Sequence, residues 1–107
     1  MIKIDFFTSD DLIEGFRISG HSGSAEEGSD IICSAVSSAA YMAANTITEI
    51  VKCNAKVDVS DGFMSFHVTT KLSDAQQILE GLKLHLEALA ADYPDNIKLT
   101  LRRCQNA

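Results

Sequence analysis

The stretch Gly20-His21-Ser22-Gly23-Ser24-Ala25-Glu26-Glu27-Gly28-Ser29-Asp30-Ile31-Ile32-Cys33 decides the fold, because the hydrophobic period changes across it. Before it, Leu12, Glu14, Phe16 and Ile18 alternate with Ile13, Gly15, Arg17 and Ser19, the two-residue period of a strand. After it, Ile32, Val36, Ala39, Ala43, Ile47 and Ile50 recur at helical spacing and predict a buried stripe. Glycines at 20, 23 and 28 and the lack of apolar periodicity make residues 20–29 a loop. Asp30 then stands as N-cap of a helix running to about Lys52. Ala35, Ala39, Ala40, Ala43 and Ala44 favour the helical state and let that helix approach a sheet closely.

Outward from this point the pattern repeats. Ile2, Ile4 and Phe6 form one face of a first strand, and Thr8-Ser9-Asp10-Asp11 supply the turn into the second, giving an antiparallel hairpin. Val57 and Val59 mark a third strand, Asp61-Gly62 a hairpin turn, and Phe63 to Val68 a fourth strand. Ser73 followed by Gln76 reads as a capping box for a second helix carrying Ile78, Leu79, Leu82, Leu86 and Leu89. Tyr93-Pro94-Asp95 ends it, and Ile97, Leu99 and Leu101 complete a last strand. The order β-β-α-β-β-α-β predicts one α+β domain over residues 1–107, a mostly antiparallel sheet packed with two helices. Strand order is not contained in this pattern.

Bulk properties narrow the function. A chain of 107 residues supports one modest core. A net charge of -6, with Arg102-Arg103 as the only basic cluster, argues against direct nucleic-acid binding and suits a basic protein partner. The N-terminus alternates like a strand and not like a signal peptide, and no apolar run approaches the roughly 18 residues of a membrane span. The expectation is a cytoplasmic protein with no membrane partner. Cysteines at 33, 53 and 104 are odd in number and widely spaced, without a CxxC pair. That predicts reduced thiols, no metal and no cofactor.

The chemistry gathers around the loop. With Asp30 as N-cap, Cys33 falls at the third helical position, where unpaired N–H groups and the helix dipole favour negative charge. A free thiol is only about 3% ionised at pH 7, and helix-end stabilisation of ~1 kcal/mol moves its pKa by roughly 0.7 unit. The dipole alone is insufficient; a nearby imidazolium could supply the remainder, and His21 is the candidate because the loop after the second strand leads straight to this helix. The pair would act as nucleophile and general base on an acyl bond, with helix-start N–H groups receiving the oxyanion. Asp30 either caps the helix or orients His21, the cap ranking higher. Ser37, one turn beyond Cys33, either bonds toward the site or bonds its own backbone or a neighbouring strand. Gly20, Gly23 and Gly28 either let the loop move over a substrate or merely permit tight turns. Against all this stands the bland reading, in which the cysteine packs as a small buried residue and the histidine is incidental. Cys53 and Cys104 read as strand or strand-end residues without a basic neighbour, and His67 and His85 as surface or packing residues.

Gly20-His21-Ser22, an acidic glycine-bearing loop, and Asp30-Ile31-Ile32-Cys33-Ser34-Ala35-Val36-Ser37 together resemble the ribosomal-processing cysteine protease family, Prp. That family carries a GHA-like turn and a DIVCAAVS-like helix start at this separation. Ser22 and Ser34 stand where alanine is more usual and Ile32 where valine is. The element order and the mid-chain Asp-Gly hairpin agree along the whole length. The resemblance implies an endopeptidase that removes an N-terminal extension from large-subunit ribosomal protein 27 during bacterial ribosome assembly. It further implies Cys33 as nucleophile, His21 as general base, and Asp30 and Ser37 as supporting residues; the loop reading adds Gly20, Ser22, Gly23 and Gly28 as a substrate loop, and no cofactor is expected. Members form homodimers, so Tyr41 or Met42 would serve either an interface or the core. Two other readings compete: a non-enzymatic ribosome-assembly or protein-binding module of the same fold, and a redox-sensing thiol at Cys33.

Overall fold

Alternating side chains over Ile2–Ser9 (β1) and Leu12–Ser19 (β2) form an antiparallel hairpin closed by Asp10 and Asp11. Both turn residues take positive φ, 51° and 66°, the conformation that matches the right-handed twist of paired strands. The computed structural model describes residues 1–21 and 29–104. Within them follow helix α1 (Ser29–Asn45), strands β3 (Ala55–Ser60) and β4 (Phe63–Val68), helix α2 (Leu72–Asp92) and strand β5 (Ile97–Arg103). The expected α+β order is the observed one.

The sheet runs β3-β4-β2-β1-β5, antiparallel except for the β1–β5 pair, which is parallel from Ile2↔Ile97 to Thr8↔Arg103. Two crossovers result. The β2–α1–β3 connection passes over β4, and β4–α2–β5 passes over β2 and β1. They leave strands of opposite sense and travel in opposite directions, so the right-handed rule sets both helices on one face. There they touch each other and bury a core of Ile2, Ile4, Phe6, Phe16, Phe66, Val36, Ala40, Ile47, Leu79 and Leu86. The Phe16 ring stacks on Phe66 at 5.4 Å and tilts against Phe6 at 6.0 Å.

Four sequence expectations need correction. The β1–β2 register shifts between Phe7 and Thr8, pairing Phe7 with Gly15 but Thr8 with Ile13. This bulge turns Ile13 into the core with Phe16 and Ile18 and leaves Leu12 exposed, so strict alternation along β2 fails. Ile50 is 75% exposed and does not belong to the buried stripe. The last turn of that helix, Thr46–Ile50, is π-helical, and its wider winding rotates the stripe so that Val51 and Cys53 pack inward instead. The Ser73–Gln76 capping box is absent. The α2 N-cap is Lys71 in the left-handed region with no side-chain cap, and Gln76 clasps β2 instead. Its Oε1 accepts from the Ile13 N–H and its Nε2 donates to the Ile13 carbonyl, both at 2.8 Å. β4 pairs with β2 only from Gly15 to Ser19, so the clasp supplies Ile13 with partners beyond the reach of that ladder. Finally, residues 31–50 do have the length and mean hydropathy (1.2) of a membrane-crossing helix. Their buried members Val36, Ala40, Ala43, Ala44 and Ile47 pack on this domain's own core, while Ile31, Tyr41, Met42 and Ile50 are exposed.

The uncovered face of the sheet is polar. Asp5 is buried there, 6% exposed, between Arg17 (Nη2 to Oδ2, 2.9 Å) and Arg102 (Nε to Oδ1, 2.8 Å). Burial alone would raise the carboxyl. Hydrogen bonds and charge from Arg102 and Arg17 outweigh it and hold the group below the ordinary carboxylate range.

Candidate active site

A crossover helix returns antiparallel to the strand it leaves, so α1 begins at the edge of the sheet where β2 ends. β3 runs parallel to β2, and its own end, the Asp61-Gly62 turn, lies at that same edge. His21, Cys33 and this turn are thereby gathered at the strand ends, the customary location of sites in crossover folds.

His21 follows β2 directly. Gly20 takes φ +89°, and its N–H donates to the Gly62 carbonyl at 2.9 Å. A Cβ at Gly20 would meet the Met1 carbonyl oxygen at 2.5 Å, so at this position the structure shows a turn that only glycine fits. The exposed His21 ring rests on Gly62, where an added Cβ would stand 2.7 Å from Nε2 and 3.1 Å from Cε1. The sequence had marked Gly62 only as a hairpin residue. Nothing in local spacing signals a contact across 41 positions.

Cys33 is the fifth residue of α1, half-buried and packed against the core beside Ile32. The helix starts at Ser29, so Asp30 is its second residue and not its N-cap. Acidic residues are favoured throughout the first helical turn as well as at the cap, which is why the sequence fits either register. One consequence is chemical. At the fifth position the Cys33 N–H already has an intrahelical acceptor, and the dipole fades beyond the first turn. Holding a thiolate here rests even more on an imidazolium. Ser37 is exposed one turn further along the same side of α1. The expectations for Ser22, Gly23 and Gly28 lie outside the described residues, as do the side chains of Ser29 and Asp30.

The other thiols and imidazoles are placed for other work. Cys53 is buried, and its thiol donates to the Lys71 carbonyl at 3.6 Å. Cys104 follows β5, its N–H bonded to the Thr8 carbonyl at 2.7 Å. A hydrogen bond with the Glu14 carboxylate, then burial and that same negative charge, push its thiol up and keep it protonated. His67 tilts against Phe7 at 5.0 Å on the uncovered face, and burial there lowers its pKa. His85 is exposed on α2 at the rim of a groove between the helices. Among the described residues, no cluster of three or more His, Cys, Asp or Glu is placed to hold a metal ion.

The chain is similar to proteins of one known family. The family model for cysteine protease Prp matches residues 1–98. The ribosomal processing cysteine protease Prp of Bacillus subtilis (strain 168) is 29% identical over 95 residues, 82% of this chain and 85% of that protein. Its counterpart in Staphylococcus aureus (strain Mu50 / ATCC 700699) is 26% identical over 106 residues, 95% and 100% of the two chains. Among solved structures, SMU.848 from Streptococcus mutans superposes with a TM-score of 0.82 at 25% identity, covering 97% and 96%. The essential ribosomal processing protease Prp from S. aureus, with a covalently linked product peptide, gives 0.85 at 24% identity, covering 95% and 100%. That last likeness speaks to the fold. With the family model spanning nearly the whole chain, this protein belongs to the cysteine protease Prp family.

Proposed function

We propose that the chain is an endopeptidase that removes the N-terminal extension of large-subunit ribosomal protein 27 in the bacterial cytoplasm, using Cys33 as nucleophile and His21 as general base. The carrying observation is that His21 and the start of α1 with Cys33 share one edge of the sheet, while Cys53 and Cys104 lie at the opposite strand ends. The names of the relatives, and a peptide bound in one of them, support a peptide substrate in ribosomal processing.

In this reading His21 takes the proton of the Cys33 thiol, and sulfur attacks the scissile carbonyl carbon. Amide N–H groups at the start of α1 receive the charge on oxygen. Collapse breaks the C–N bond, with His21 returning the proton to the leaving amine. Water, deprotonated by His21, then releases the thioester and restores the thiol. Asp30, in the first turn of α1, orients the imidazole, and Ser37 flanks the sulfur. We also read the protein as a homodimer. Tyr41 and Met42 are exposed on α1, and Met42 lines an apolar groove of about 660 Å³ between α1 and α2.

The test is mass spectrometry of ribosomal protein 27 precursor incubated with the protein. One internal cut, lost by about 1,000-fold or more in Cys33→Ala and in His21→Ala, is expected. Cleavage surviving Cys33→Ala ends the assignment. An intact precursor that is nonetheless bound would make the protein a binding module.

A further inference from the structure

We propose that Gly62 positions His21: the β3–β4 turn is the seat of the imidazole, and the absence of a side chain at 62 sets where that ring stands. This rests on the reading of His21 as the general base. Three observations converge on the contact. The β2–β4 ladder runs to Ser19↔Phe63, so the two chain segments leave the sheet side by side. The Gly20 N–H then bonds the Gly62 carbonyl at 2.9 Å, fixing the backbone one residue before His21. Lastly, the three atoms nearest an added Cβ at 62 all belong to the His21 ring: Nε2 at 2.7 Å, Cε1 at 3.1 Å and Cδ2 at 3.4 Å.

What such a Cβ would do follows from which neighbour can give. Gly62 is tied into a two-residue turn between the paired residues Ser60 and Phe63. The His21 side chain is exposed and rotates at little cost. The ring therefore moves and the turn stays. Placement of a general base within hydrogen-bond reach of its proton is what that movement would spoil. The positive φ of 69° at Gly62 adds a backbone penalty for most residues, but asparagine tolerates this region. Gly62→Asn therefore isolates the steric effect on the ring.

The Asp10-Asp11 turn provides a matched control, with the same two-residue length and φ of 66° at Asp11. In Gly62→Asn we expect kcat for the precursor cut to fall by about 100-fold with KM little changed, the penalty of displacing a catalytic group by about an ångström. The His21 ring resonances in a two-dimensional NMR spectrum shift in the same variant. Asp11→Asn changes neither. In a His21→Ala background Gly62→Asn causes no further loss.

Unaltered kcat in a folded Gly62→Asn protein overturns the proposal, as does a ring signal that stays in place. Should Gly62→Asn fail to fold, the native protein decides: nuclear Overhauser contacts between the Gly62 α-protons and the His21 ring are required, and their absence overturns it. If His21→Ala cleaves as well as the native protein, the reading of His21 as base fails. The ring shift and the Overhauser contacts still report on the seat in that case.

Discussion

The chain leaves the sheet for a helix twice, at β2–α1 and at β4–α2, and the two departures are held differently. After β4, only Thr69, Thr70 and Lys71 separate strand from helix. The N–H groups of Thr69 and Thr70 donate to the Asn54 carbonyl, and the Asn54 N–H returns a bond to the Thr70 hydroxyl at 2.9 Å. The Cys53 thiol reaches the Lys71 carbonyl, and Gln76 clasps Ile13 one turn into α2. After β2, nine residues separate Ser19 from Ser29. Among the described ones, Gly20 bonds the neighbouring turn, His21 is exposed and Cys33 is half-buried. The short departure is laced by hydrogen bonds to the Cys53-Asn54 segment that leads into β3, and that cysteine is buried. The long departure places an exposed imidazole and a half-buried thiol near the end of β2.

The largest test of this contrast exchanges the cysteines' fates. Cys33→Ala should abolish precursor cleavage, a loss of about 1,000-fold or more, while Cys53→Ala turns over substrate normally and melts earlier. Equal loss of cleavage in both would erase the distinction between the two thiols.

Gln76→Ala tests the second crossing alone. It strips the Ile13 N–H and carbonyl of their partners and should cost about 1–3 kcal/mol in urea denaturation, with kcat unchanged. A midpoint matching the native protein would mean that water replaces the clasp freely.

Asp5→Asn touches neither crossing and so separates stability from turnover. The folded-state pKa of Asp5 lies below its ordinary value, so its contribution is complete above the carboxylate range and fades as pH falls through and below it. The substitution should lower stability at pH 7 by about 1 kcal/mol, a modest figure because both guanidiniums are substantially exposed. The gap to the native protein should close in acid. A gap that persists unchanged to low pH would refute the ion-pair account.

The smallest effect is a gain. Lys71 holds φ 54° at the head of α2, a region that costs an L-residue but not glycine. Lys71→Gly should raise stability by about 1 kcal/mol, read from the thermal midpoint, without altering cleavage.

These sites also mark where sequence reading succeeds and where it stops. The two hairpins were legible because Asp10-Asp11 and Asp61-Gly62 interrupt alternating runs, and a turn is a local event. Cys33 and His21 stood out because their chemistry depends on residue type and on nearness to a strand end or helix start. Asp5 did not stand out. It alternates with apolar neighbours like any solvent-facing strand residue, and its partner Arg102 lies 97 positions away. Gln76 suggested a cap because its spacing from Ser73 is that of a capping box. Its amide is instead taken by a strand 63 positions earlier, an acceptor and donor that local spacing cannot reveal.

By itself, then, the sequence determined the succession of strands and helices, the positions of the reverse turns and which thiol sits at a helix start, since these depend on periods of two and 3.6 and on nearby residues. Only the tertiary structure decided the sheet order, the parallel pairing of β5, the inward turn of Ile13 and the seating of His21 on Gly62. Each of these is a contact between distant segments. Its energy comes from shared burial and hydrogen bonding that neither segment encodes alone.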